Sequence, residues 1–432
     1  MHIYFSGIGG AGIGPLALIA KQAGYDVSGS DAHDSSYIDY LKKKGISDIH
    51  IGQTEAGIAQ VQANMPIDWF VYSSALPKTN PNHPELLFCR KRGIKATKRD
   101  EFLNQILADK DLKLIAVAGT HGKTTTTAMV VWLFKQMGRP VSYSVGAKTS
   151  FSDMGAYEAD SEYFVYEADE YDRNFLSFKP RLSLITGIDW DHPDIYPSRD
   201  DYYQAFRDFI NQSQHTFIWR ADAQKLGLSE GQNVTLIDDN DPAIATIRLA
   251  GDVNRRDGWL ASQIGSEVGQ PAGDLAKFVS TFPGLSRRFE QIAPNVYSDY
   301  AHTPPKIRGA LQLAKEVAGD RVVIIYEGLH NTRQHFIKDE LANLFDEVKQ
   351  LYIVPSYLAR EDESLELLIP EKLLDLLSNQ SKRHAEAAQL DDNLAKVIRQ
   401  HANAGNLVLC LSAGGAGSLD EWLRRQFSNL KA

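Results

Sequence analysis

Five apolar residues, Leu114-Ile115-Ala116-Val117-Ala118, run straight into Gly119-Thr120-His121-Gly122-Lys123-Thr124, and nothing else in the 432-residue chain restricts the fold as much. The apolar run reads as a buried parallel strand, and the glycines let the chain turn sharply before a long helical pattern reaching about Met137. Such a turn holds phosphate: amides at a helix N-terminus face the anion, Lys123 can reach terminal phosphates, and Thr124 offers a hydroxyl to Mg2+. The spacing is tighter than the general G-x-x-x-x-G-K-[ST] loop, because Val117 stands five before Gly122 and the first glycine, Gly119, only three before it. Thr124 to Thr127 are all β-branched and a poor helix start, a conflict most common where function overrides propensity.

The same alternation of strands and helices extends in both directions. The first hundred residues offer strands at Ile3-Tyr4-Phe5, Asp26-Val27-Ser28 and Trp69-Phe70-Val71-Tyr72 and a helix from Leu16 to Ala23. A polar stretch, Asp109 to Lys113, precedes the strand above, and strands at Tyr163 to Tyr166 and Leu182 to Ile185 follow it. Past the Gly/Pro-containing 282–286, a third unit shows strands at Arg321 to Tyr326, Leu351 to Val354 and Asn406 to Leu411. This rhythm predicts α/β architecture with parallel sheets, and the length predicts several domains, each burying its own core, over 1–109, 110–284 and 285–432.

The formal net charge of -9 supplies no basic field, which argues against a nucleic-acid partner and leaves anions to local amides and individual Lys or Arg residues. Cys89 and Cys410 stand alone in unrelated contexts, as in reduced proteins. With no basic leader before an apolar run and no membrane-length apolar stretch, the chain reads as cytoplasmic, without membrane insertion.

Three further clusters bear chemistry. Gly7-Ile8-Gly9-Gly10-Ala11-Gly12 follows a strand and precedes a helix, matches G-x-G-x-x-G, and has Asp31 at the end of the next strand. It fits a dinucleotide, as in an NAD-dependent oxidoreductase, or another diphosphate such as a UDP-sugar. Glu167-Ala168-Asp169-Glu170-Tyr171-Asp172 and Asp189-Trp190-Asp191-His192-Pro193-Asp194 each end an apolar strand and offer ligands for a hard cation. Arg287-Arg288, Ser298-Asp299-Tyr300-Ala301-His302 and Glu327 to Arg333 supply cations and a stacking ring in the third unit. The Gly-rich Ala413 to Gly417 reads as a structural turn.

Taken in this order, GIGGAG at 7–12, SGSD at 28–31, SSA at 73–75, GTHGKTTTT at 119–127 and DYAH at 299–302 resemble the Mur ligase family over essentially the whole chain, most of all its alanine-adding members. The resemblance implies three domains: an N-terminal Rossmann-like UDP-binding domain, a central P-loop ATPase, and a C-terminal Rossmann-like domain that closes over nucleotide and amino acid. It implies ATP and Mg2+, with UDP-N-acetylmuramate and L-alanine as substrates of a ligase that works as a monomer or weak homodimer. A recycling ligase that joins a tripeptide to the same sugar nucleotide is the alternative within the family, and a silent binding protein the alternative outside catalysis.

By resemblance Gly7, Gly9, Gly10, Ala11, Gly12, Asp31, Ser73 and Ser74 bind the UDP-sugar. Gly119, Thr120, His121, Gly122, Lys123, Thr124, Thr125, Asn254, Arg288, Asp299 and Tyr300 bind ATP. Thr124, Glu167 and His192 ligate Mg2+, Lys123 and Arg333 act on phosphate and on the amino-acid carboxylate, and His302 is the candidate base or orienting group. Three positions depart from the family pattern, namely Val253 in place of His, Asp257 in place of Asn, and His330 where the alanine-adding members carry Arg. Arg207 stands near the carbamylated Lys of several sister ligases.

Overall fold

Strands form where the apolar runs are, and they collect into three sheets. The computed structural model describes residues 1–432 except 194, 359, 360, 363, 415, 416 and 428–432, and the side chains of 78 and 79. The first sheet orders Ile49–Ile51, Asp26–Asp31, His2–Ser6, Trp69–Tyr72 and Lys95–Lys98 side by side, all parallel. His2–Ser6 is central and wholly buried, as a strand covered on both faces must be.

The second sheet orders Val234–Ile237, Thr216–Trp219, Leu182–Ile185, Lys113–Ala118, Tyr163–Glu167, Ser142–Ser144 and Gly155–Ala156, with only the last pair antiparallel. Lys113–Ala118 pairs with Leu182–Ile185 on one side and Tyr163–Glu167 on the other. The carboxyl ends of these three strands therefore lie together, at the edge where parallel sheets bind ligands.

The third sheet orders Glu290–Ala293, Val296–Asp299, Leu407–Leu411, Val322–Glu327, Gln350–Val354 and Ala385–Ala387, antiparallel only in its first pair. One apolar layer, including Ile324, Tyr326 and Phe345, covers one face, and another, including Val323, Ile325 and Trp422, covers the other. The periodicity readings land within a residue or two of these strands; Val322–Glu327, for instance, starts one residue later than expected.

The chain divides into two compact units, Met1–Arg248 with Asp257–Phe282, and Leu249–Arg256 with Pro283–Ala432. The first two sheets share one apolar core in which Trp69, Phe102 and Ile106 join Leu114, Tyr166 and Phe178, while Tyr4, Phe70 and Leu86 belong to a core of the first sheet alone. The helix Arg99–Asp109 feeds directly into Lys113–Ala118, so its apolar face serves both sheets.

Candidate phosphate-binding site

The tight turn after Ala118 is built by its glycines. Gly119 has φ +140° and Gly122 φ +79°, conformations that side-chain-bearing residues rarely adopt. A Cβ on Gly119 would collide with Thr186, and one on Gly122 would lie 2.7 Å from Asp257 Oδ1. Thr120 pins the turn to the neighbouring strand end: its amide donates to Gly187 O at 2.8 Å, and its hydroxyl contacts Asp189 O at 2.7 Å and the Tyr202 hydroxyl at 2.8 Å. His121 is held through its carbonyl, which accepts from Thr186, and its ring stands 3.7 Å from Asp189.

The helix Lys123–Gln136 forms despite its threonines: two of their hydroxyls are bonded and Thr126 is packed inside, its hydroxyl without a partner. Thr124 Oγ1 donates to Glu167 Oε1 at 2.9 Å, and Thr127 Oγ1 donates to the Lys123 carbonyl at 2.7 Å. Thr125 is buried behind them. Glu167 ends its strand and takes a second hydrogen bond from the Gly146 amide at 2.9 Å. One hydroxyl and one fixed carboxylate thus face the same point.

Lys123 folds back over the turn. Its ammonium donates to Gly119 O at 2.7 Å and to Glu170 Oε2 at 2.6 Å. Burial works against the charged lysine, but Glu170, Asp169 and Glu167 outweigh it and raise its pKa. Burial and Asp169 push the Glu170 carboxyl up to about 7, against the pull of Lys123. The other Glu170 oxygen lies 3.8 Å from His192 Nε2, so the structure sets His192 beside Glu170. His192, Asp172 and Arg173 all hold positive φ of 55 to 56° without being glycine, and backbone strain of that kind collects at functional sites. Asp194 of the same cluster lies outside the described residues.

In the first sheet, Gly7 to Gly12 turns from His2–Ser6 into the helix Gly14–Gln22. The amides of Gly7 and Ile8 donate to Ser30 O, Gly10 donates to Gly7 O, and the Gly9 amide donates to Asp31 Oδ2 at 2.8 Å. Asp31 therefore braces the turn from the adjacent strand. Among the described residues the amides of Ala11 and Gly12 donate no hydrogen bond. Ser73 and Ser74 follow Trp69–Tyr72, the strand next to His2–Ser6, and so stand at the same sheet edge.

The remaining residues gather in the second compact unit. Arg287 and Arg288 lie over the Tyr300 ring at 4.6 and 4.8 Å, a doubled cation–π contact. Asp299 accepts the amides of Phe289 and Ala301, each at 2.7 Å, and burial raises its pKa against Arg288. His302 Nδ1 lies 2.6 Å from Tyr300 O, so the proton belongs on Nδ1 and Nε2 is left as an acceptor. Burial, with Lys306, Arg333 and Arg288 nearby, lowers its pKa well below the usual imidazole value. Arg333 sits on the short helix Asn331–Ile337, which His330 opens and Glu361 anchors through the Thr332 amide. Asn254 Nδ2 donates to Ala250 O; in the first compact unit, half-buried Arg207 rests on its own helix against Gln204.

The Gly-rich turn after Leu407–Leu411 is occupied by the protein itself. Glu327 accepts from Leu419 N at 3.0 Å and from the Ser412 hydroxyl, so a carboxylate already fills the place an anion would take. Gly415 and Ala416 lie outside the described residues.

Glu170 was within the acidic cluster named from sequence, yet no spacing singled it out as the lysine's partner. Asp257, against Gly122, and Gly146, on Glu167, come from distant segments and carry no local signal.

A short glycine turn at the edge of a parallel sheet, with a hydroxyl, a carboxylate and a lysine converging on it, makes this an α/β protein with a candidate phosphate site. Family models described as "Mur ligase family, catalytic domain", "Mur ligase middle domain" and "Mur ligase, glutamate ligase domain" match residues 2–111, 117–258 and 287–414. A UDP-N-acetylmuramate–L-alanine ligase of a Nocardioides strain is 30% identical over 429 residues, covering 96% of this chain and 93% of its own. A relative of the same name from Rickettsia bellii is 29% identical, covering 99% and 97%. Among solved structures, the UDP-N-acetylmuramate-alanine ligase MurC of Thermotoga maritima superposes with a TM-score of 0.77 at 23% identity over 99% of both chains. A murein peptide ligase of Psychrobacter arcticus gives 0.63 at 23% over the full length of each. The chain belongs to the Mur ligase family and is a three-domain α/β ligase.

Proposed function

We propose that the chain joins L-alanine to UDP-N-acetylmuramate at the expense of ATP. The lactyl carboxylate attacks the γ-phosphorus, ADP leaves, and an acyl phosphate forms; the amine of alanine then displaces phosphate and loses a proton. The reading rests on relatives bearing that activity in their names over nearly the whole chain, and above all on the buried Lys123 at the phosphate turn.

Each residue set has a part in it. Gly119 to Thr125 cradles the phosphates, and Lys123 leaves Glu170 to meet the charge that develops on the transferring group. Asn254, Arg288, Asp299 and Tyr300 hold the rest of the nucleotide. Arg333 binds the carboxylate of the amino acid. His302, neutral with Nε2 open, accepts the amine proton. Gly7 to Gly12, Asp31, Ser73 and Ser74 hold the sugar nucleotide.

Thr124 and Glu167 fit Mg2+ because their oxygen donors are hard and few, and His192 would lend an imidazole nitrogen to a second ion. Among the described residues no three His, Cys, Asp or Glu side chains form a cage, which suits an ion that keeps its waters and substrate phosphates. When bound, Mg2+ neutralises phosphate charge.

The domains on this reading are 1–109, 110–284 and 285–432. No helix among the described residues is long and apolar enough to cross a membrane, and the substrates place the work in the cytoplasm, by a monomer or weak homodimer. The test is ADP release with UDP-N-acetylmuramate and, in turn, L-alanine, glycine, L-serine and the tripeptide. Release that requires both the sugar nucleotide and alanine is expected, and Lys123→Ala abolishes it. A signal with tripeptide alone moves the activity to peptide recycling, and turnover in the Lys123 variant refutes the role of the turn.

A further inference from the structure

The turn at Gly7 to Gly12 is short of positive charge. Four of its amides are spent on Ser30, Gly7 and Asp31, so only Ala11 and Gly12 can face a ligand. Two neutral N–H groups and one helix end are a weak match for a diphosphate, and the acidic chain offers no general field to help. A cation is present at this point. A Cβ on Gly12 would fall onto the guanidinium of Arg99, which reaches over the turn from the start of the helix Arg99–Asp109.

Arg99 is placed unusually for a surface cation. Its side chain is only 19% exposed, its Nε faces Asp100 Oδ1 at 3.4 Å, and among the described residues its two terminal nitrogens donate no hydrogen bond. Half-buried donors left unmade are costly, and a guanidinium fork is shaped for paired phosphate oxygens in a way that an ammonium is not. The neutral Tyr166 phenol and the carboxyl groups of Asp100 and Asp169 surround the charge without taking its two terminal nitrogens.

We propose that Arg99 is the diphosphate-binding cation of the first domain, closing with the Ala11 and Gly12 amides a clamp on the two phosphates of the sugar nucleotide. The inference rests on the reading of Gly7 to Gly12 as a diphosphate turn. It also accounts for glycine at 12, where any side chain would push the guanidinium away.

The test is calorimetric titration of the full chain with UDP and with uridine. In Arg99→Gln the affinity for UDP falls roughly ten- to hundredfold, the range expected for a lost charge-assisted fork, while uridine binds as before. Arg99→Lys keeps the charge and regains part of the loss, and Gly12→Ala repeats the Gln pattern with Arg99 intact. Melting temperatures establish that each variant is folded, and Gly12→Ala serves if Arg99→Gln is not. Equal losses for UDP and uridine, or none for either, overturn the proposal. So does a loss confined to UDP-N-acetylmuramate with UDP unaffected, which would assign Arg99 to the carboxylate. Failure of the wild-type protein to bind UDP or uridine at all would instead refute the turn as a uridine-nucleotide site.

Discussion

Separating Lys123 from Glu170 should cost stability in a way that only their pairing explains. The ammonium and carboxylate are 2.6 Å apart with side chains 13% and 1% exposed. Deleting one partner of such a pair strands a buried charge, at about 3 to 5 kcal/mol. Glu170 already sits at about 7 with the lysine present. Without it, the carboxyl rises further and is protonated at neutral pH, which holds the cost of Lys123→Met near the lower figure, about 3 kcal/mol. In a compact unit of roughly 270 residues, each kcal/mol moves Tm by about 2 °C, so the melting point should fall by about 6 °C. Glu170→Gln added to Lys123→Met removes the stranded acid and should restore about 4 °C. Scanning calorimetry of the wild type, both single variants and the double variant gives the coupling, and ADP release gives the function. Stability should return in the double variant while turnover does not. Additive effects, with coupling below about 0.5 kcal/mol, would show that the pair is not the unit described.

Three other outcomes are expected. Glu167→Gln replaces the acceptor of the Thr124 hydroxyl and sets an amide against Gly146 N; ADP release should drop by about 100-fold or more and require more Mg2+ for half its rate, and an unchanged Mg2+ titration would exclude Glu167 as a ligand. Gly122→Ala forces a methyl to 2.7 Å from Asp257 at φ +79°; it should cost about 1 to 3 kcal/mol and weaken ATP with uridine-nucleotide affinity intact, and normal ATP binding would contradict the geometry of the turn. His302 is held neutral in the fold, so the unfolded chain takes up its proton as pH falls through about 6.5 while the folded chain does not. Stability therefore decreases below that pH, by up to about 1.4 kcal/mol per unit, and a denaturant series on His302→Phe should show a shallower acid-side slope than the wild type. Equal slopes would mean that His302 is not the group responsible.

Much of the molecule could be read along the chain. Leu114 to Ala118 is apolar without interruption because both faces of that strand are covered, and a run of that kind can end only in a turn or a helix. The glycines at 119 and 122, the lysine after them and the acids closing Tyr163–Glu167 are local signals, since phosphate chemistry needs them adjacent in sequence. Short edge strands were not legible. Ile49–Ile51 and Ala385–Ala387 have three residues each with half-exposed faces, and their composition does not set them apart from loops. Strand Val296–Asp299 was obscured by the polar cluster in which it ends.

What the sequence determines by itself is therefore the class of chemistry, because the two glycine turns, at 7–12 and 119–124, are each written within a few adjacent residues. What only the tertiary structure decides is which charges meet. Glu170 reaches Lys123 across 47 residues, Asp257 reaches Gly122 across the fold, and Arg99 comes to rest over Gly12 from the far edge of the first sheet. Those pairings depend on parallel strands bringing their carboxyl ends to one edge, and no periodicity in the chain records which ends become neighbours.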